Sequence, residues 1–111
     1  MDAREKLIRY YQDTKGRSPF RSWISSLKDL RGVQRVEARL TNLQKGNFGV
    51  ARSVGGGVME LKIDIGPGYR IYFGRDGESL VILLCGGDKS TQAKDIRIAQ
   101  TYWSDYKERR T

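Results

Sequence analysis

The stretch from Val58 to Lys89, VMELKIDIGPGYRIYFGRDGESLVILLCGGDK, decides the fold. Every second residue is apolar along Leu61, Ile63 and Ile65, and again along Tyr69, Ile71 and Phe73. Period-two alternation is the pattern of strands that turn one face toward a core. The opposite face then carries Glu60, Lys62, Asp64, Arg70 and Tyr72. Apolar positions are odd-numbered in both strands, so Lys62 and Arg70 share a face in any register that keeps the core consistent. Cations beside an aromatic on a rigid sheet suit a polyanion, and they equally suit the wet face of an amphipathic sheet. The turn Ile65-Gly66-Pro67-Gly68 is longer than a two-residue hairpin loop, whereas Asp76-Gly77 is a type I′ signal. Ser79 to Cys85 is almost continuously apolar, as expected of a central strand covered on both faces. Gly86-Gly87-Asp88-Lys89 reads as its exit.

Upstream, Lys6 to Gln12 is rich in aromatic and β-branched residues and predicts a first strand. Ser18-Pro19 supplies an N-cap hydroxyl followed by proline at the first helical position. Phe20, Trp23, Ile24 and Leu27 then recur at helical spacing. A second helix is predicted after Asp29, through about Lys45, with Val33, Val36, Leu40 and Leu43 as its apolar stripe and Gly46 as its stop. The short turn between them predicts an antiparallel helical hairpin laid on the sheet. Arg31, Arg35 and Arg39 line another face of that helix, either solvated or partnered. Val50 to Val54 is a short edge strand carrying Arg52, and Gly55-Gly56-Gly57 is a hinge or a place of close backbone approach. A last helix, about Gln92 to Tyr106, puts Ile96, Ala99, Trp103 and Tyr106 on one stripe. The order is β-α-α-β-β-β-α, a small α+β fold expected to form a single domain over residues 1–111.

Composition narrows the function. The 111 residues hold 21 Lys and Arg against 13 Asp and Glu, a formal charge of +8. A small basic protein of this kind most often meets nucleic acid or an acidic partner. No run of roughly 18 apolar residues could cross a membrane, and residues 1–6 lack a secretory h-region. A cytoplasmic protein without membrane contact is expected. Cys85 is the single cysteine and sits in an apolar run, so no disulfide framework arises. Histidine is absent, which removes Ser-His-Asp and Cys-His catalysis and most zinc sites. Neither a metal nor another cofactor is expected. The glycine runs lack the Lys-Ser/Thr of a phosphate loop, and Glu60 with Asp64 reads as charge balance.

Three segments carry a resemblance: GNFG (46–49), GVMELKIDIGPGYRIYF (57–73) and LLCGGDKSTQAKDI (83–96). Together they resemble the addiction-module killer proteins, a branch of the RelE/ParE toxin superfamily close to the HigB-type toxins. The resemblance implies a twisted, mainly antiparallel sheet with an N-terminal helical hairpin and a C-terminal helix. It implies a cognate antitoxin that silences the protein, and operator DNA binding only through the toxin–antitoxin complex. In the HigB and RelE branches the toxin works on the ribosome and cuts mRNA without a metal, using the ribose 2′-hydroxyl as nucleophile. In the ParE branch it inhibits DNA gyrase instead, and a non-catalytic nucleic-acid-binding module is a further reading.

Cleavage of that kind needs a proton acceptor, cations that offset charge on the phosphate, and a donor for the leaving 5′-oxygen. By the resemblance, Arg70 occupies the Y-R position and is assigned to the phosphate, which a planar guanidinium grips bidentately. Lys62, at the E-L-K position, is a candidate base or charge stabiliser. Lys89 is a candidate acid or phosphate contact. Tyr72 is a candidate for stacking on a base, and Arg52 and Lys94 for positioning the backbone. Some HigB-type toxins use a histidine near the C-terminus, which this chain lacks. The structural reading of Arg70 is a cross-strand partner for Glu60 or Asp64.

Overall fold

The computed structural model describes residues 5–110. Strands β1 (Leu7–Tyr10), β2 (Ala51–Ser53), β3 (Val58–Ile63), β4 (Tyr69–Asp76) and β5 (Leu80–Asp88) form a five-stranded sheet in the order β1-β5-β4-β3-β2. All neighbours are antiparallel except β1, which runs parallel to β5. Helices α1 (Pro19–Ser26), α2 (Leu30–Gln44) and α3 (Gln92–Arg109) complete the α+β architecture among the described residues, with a short 3₁₀ turn, Lys89–Thr91, ahead of α3. None of these helices is long and apolar enough to cross a membrane.

The alternation in the hairpin sets the first core. Leu61, Ile63, Tyr69, Ile71 and Phe73 bury against Phe20 of α1 and Val36 and Leu43 of α2. Both helices begin as their sequences dictate. The Ser18 side chain accepts from the Arg21 amide with Pro19 at the first position, and Asp29 accepts from the Gly32 amide at 3.1 Å. The Asp29 carboxylate also accepts from the Tyr69 hydroxyl at 2.8 Å, tying the start of α2 to β4. The two helices share this layer, but an extended helix–helix interface of the expected hairpin kind is not a clear feature of the fold.

The opposite face differs from expectation. It is wet only toward one end, around Lys62 and Asp64. Tyr72, Val58, Ile82 and Leu84 form a second core with Ala99 and Trp103 of α3 and Tyr11. Trp103 lies where two glycines leave room: a Cβ at Gly74 would come within 2.4 Å of the indole, and one at Gly57 within 2.6 Å. The glycine run before β3 is therefore a place of close approach.

Strand β5 is longer than its apolar run suggested, because Gly86 and Gly87 continue it to Asp88. A bulge makes this possible. Tyr72 pairs with Cys85 but Phe73 pairs with Leu83, leaving Leu84 as the extra residue. One extra residue inverts the facing of everything beyond it. Gly86 thus turns toward Trp23 of α1, where a Cβ would sit 2.2 Å from the ring, and Gly87 toward Asp95 of α3, at 1.9 Å.

Candidate nucleic-acid interface

Antiparallel pairing of β3 and β4 places Lys62 directly opposite Arg70, on the one face that residue parity requires them to share. On its other side Arg70 pairs with Gly87 of β5. Strand β5 then delivers Lys89 one residue past its end, where its amide donates to the Pro67 carbonyl of the β3–β4 turn. Lys62, Arg70 and Lys89, together with Asp64 and the turn residues 65–68, line one open hollow of about 300 Å³. Three cations face one carboxylate there. A larger depression, about 590 Å³, runs along the outer side of α3 and contains none of the three.

The members are held differently. Lys62 is half-exposed, with its ammonium 3.5 Å from Asp64. Lys89 is exposed. Its neighbour Asp88 takes up the Ser90 hydroxyl at 2.6 Å and the Ser90 amide at 2.8 Å. Those bonds, against a smaller cost of burial and with the Arg70 charge adding a little, hold the Asp88 carboxyl below the usual carboxylate range. Arg70 is the buried member, with 5% of its surface exposed. Its Nη1 donates to the Gly68 carbonyl at 2.7 Å. Gly68 has φ +78°, and a Cβ there would approach Arg70 Nη1 to 3.2 Å, so both conformation and space favour glycine. Arg70 Nε faces Glu60 Oε2 at 3.9 Å and has no hydrogen-bond partner among the described residues.

Glu60 is the residue the sequence reading undervalued. It is 2% exposed. Its Oε1 accepts from Arg52 Nε at 2.8 Å and its Oε2 from Gln92 Nε2 at 2.9 Å. Burial alone would raise this carboxyl, but the Arg52 and Gln92 hydrogen bonds and the Arg52 charge outweigh it and leave the group lowered. The even parity of position 60 signalled a shared face with Arg70. Nothing in the local sequence signalled that α3 would cover that face and supply Gln92.

The remaining predicted residues separate from the hollow. Tyr72 is fully buried in the second core, so its ring is closed to a stacking base. Burial, reinforced by the Glu60 charge, pushes its hydroxyl far above the ordinary tyrosine value. Arg52 is exposed on β2, directly opposite Glu60, and is engaged by that carboxylate. Lys94 is exposed in the first turn of α3 and does not line the hollow. Arg39, one of the three arginines on α2, donates from Nη1 to the Lys62 carbonyl at 3.0 Å and so braces the strand beneath the hollow. Arg31 and Arg35 remain on the exposed side of the helix.

Residues 22–104, which run from the middle of α1 through most of α3 and include every residue lining the hollow, match the family model described as phage derived protein Gp49-like (DUF891). An uncharacterized protein of Haemophilus influenzae (strain Rd) is 56% identical over 81 residues, covering 73% of this chain and 82% of the relative. The chain belongs to the phage-derived Gp49-like family.

Proposed function

We propose that this chain is the toxin of a type II toxin–antitoxin pair, a HigB-like member of the RelE/ParE superfamily that cleaves mRNA on the ribosome without a metal. The single observation carrying this reading is the meeting of Lys62, Arg70 and Lys89 around one open, net-positive hollow. In the proposed reaction the ribose 2′-oxygen attacks the adjacent phosphorus, forming a 2′,3′-cyclic phosphate and breaking the bond to the 5′-oxygen. Arg70 offsets the charge that builds on the phosphoryl oxygens, and its buried, under-bonded guanidinium is preorganised for that task. Lys62, directly across from it, accepts the 2′-hydroxyl proton when its amine is neutral and otherwise adds a second positive charge at the phosphate, and Lys89, as the ammonium, protonates the departing 5′-oxygen. A cognate antitoxin silences the protein and carries any operator contact, and the site of action is the cytoplasm.

One observation favours the non-catalytic alternative, in which the same fold binds nucleic acid or gyrase without cutting RNA. Arg70 is buried beside Glu60 and bonded to Gly68, as a structural arginine would be. Expression of the chain alone in bacteria separates the two, with mRNA 5′ ends mapped and the DNA-damage response followed in parallel. Codon-periodic cuts support the endonuclease, and a damage response without cuts supports the gyrase reading. Lys62 is half-exposed, so Lys62→Ala is expected to fold. Loss of a proton-transfer group should lower cleavage by about 100-fold or more. An unchanged cutting rate would remove Lys62 from the mechanism.

A further inference from the structure

We infer that Gln92, at the first position of α3, is a positioning residue for Arg70 and acts through Glu60. The inference rests on the proposed reading of Arg70 as the group that holds an anion in the hollow. Its basis is how the Glu60 carboxylate is shared. An arginine and a carboxylate buried side by side ordinarily close into a short, often bidentate pair. Here both carboxylate oxygens already hold donors from elsewhere, Arg52 on Oε1 at 2.8 Å and Gln92 on Oε2 at 2.9 Å. Arg70 Nε is left 3.9 Å from Oε2, beyond hydrogen-bonding range and well within Coulomb reach.

Glu60 therefore compensates the charge of Arg70 without consuming its donors. Among the described residues Nε is buried with no hydrogen-bond partner, and Nη1 bonds to the Gly68 carbonyl. A guanidinium kept charged and desolvated, and not drawn into a short pair with Glu60, meets an oxyanion through the part that lines the hollow, where new bonds to it are strongest. Gln92 maintains this state. Its amide occupies the oxygen that would otherwise move about 1 Å to reach Nε at hydrogen-bonding distance. The donor comes from α3, so the docking of that helix on the sheet sets how far Arg70 is free to act.

The experiment uses the full chain with Gln92→Leu, which keeps bulk and removes the donor. Affinity for a single-stranded oligoribonucleotide is read by fluorescence anisotropy, and the Arg70 Nε–H resonance by proton–nitrogen NMR. The expected result is a downfield move of that resonance as Glu60 closes on Nε, with RNA binding weakened by about tenfold. A substitution that merely loosened α3 would lower the thermal midpoint without forming the new hydrogen bond. An unmoved resonance overturns the inference, and so does a moved resonance with undiminished affinity. Arg70→Met separates this from the broader proposal. If Arg70→Met leaves RNA affinity intact, the hollow is not an Arg70 anion site and the proposed function fails, whereas loss of affinity in Arg70→Met alone, with Gln92→Leu unaffected, overturns only the role of Gln92.

Discussion

Replacing Glu60 by leucine tests whether the ion network is as consequential as its burial implies. The Glu60 and Arg70 side chains are 2% and 6% exposed, whereas Arg52 is 62% exposed. Removing the carboxylate thus strands one buried cation, one solvated cation and the part-buried Gln92 amide, and the first is the most costly. Two unit charges 3.9 Å apart attract by about 4 kcal/mol at the effective dielectric that describes such sites. Breaking a buried pair by deleting one partner costs about 3–5 kcal/mol. Water reaching Arg70 through the hollow lowers the loss toward about 3 kcal/mol, still a large part of the margin of a small domain. The exposed Arg52 adds less than about 1 kcal/mol. The double variant Glu60→Leu/Arg70→Met removes both buried charges and should return to within about 1 kcal/mol of the parent. Urea unfolding with linear extrapolation measures all four corners of the cycle, with the slope expected to stay constant. A loss below about 1 kcal/mol in Glu60→Leu, or a double variant no more stable than the single, would refute the reasoning.

Two further outcomes follow from the same geometry. Gly87→Ala puts a Cβ 1.9 Å from Asp95 Oδ2 and beside the Thr91 hydroxyl that this carboxylate holds, so it should cost about 1–3 kcal/mol, whereas Gly77→Ala meets no neighbour and is limited to the strain of its φ of +72°; comparison of the two thermal midpoints checks this. The second outcome is in pH. Tyr69 and the Gly32 amide hold the Asp29 carboxyl below its ordinary value, and a lowered carboxyl contributes stability that is present above its unfolded pKa and is lost as pH falls through the folded one. Tyr11 is the reverse case: burial and its bond to Asp105 push its hydroxyl up to about 12, so its contribution is complete below about pH 10 and lost as pH rises toward that folded value. Asp29→Asn should flatten the acid limb of a stability–pH curve and Tyr11→Phe the alkaline limb, and limbs that do not respond would contradict the assignments.

Much of the fold was legible because it depends on period alone. Parity in 58–73 put Lys62 and Arg70 on one face, Ser18-Pro19 located the start of the first helix, and the apolar stripe with Gly46 located the second. The length of β5 was not legible, since a glycine pair after an apolar run resembles an exit. Only the Leu84 bulge, which no local residue announces, turns Gly86 to Trp23 and Gly87 to Asp95. The second core was misread for a related reason. Alternation distinguishes two faces but does not say that the polar one is wet.

The apolar stripe on α3 nevertheless demanded a counterpart. The first core was already filled from α1 and α2, so Ala99 and Trp103 could bury only against the face that carries Tyr72. Once α3 lies there, the Glu60 carboxylate is buried with it and needs donors, which it finds in Arg52 and Gln92. Glu60 and Arg70 are buried there, whereas Lys62 stays half-exposed. The hollow therefore forms at the boundary of the second core, where one cation is buried and the facing cation remains in water. A phosphate arriving at that boundary would meet both a desolvated charge and a mobile one. This arrangement depends on the helix that covers the sheet as much as on the hairpin that bears the cations.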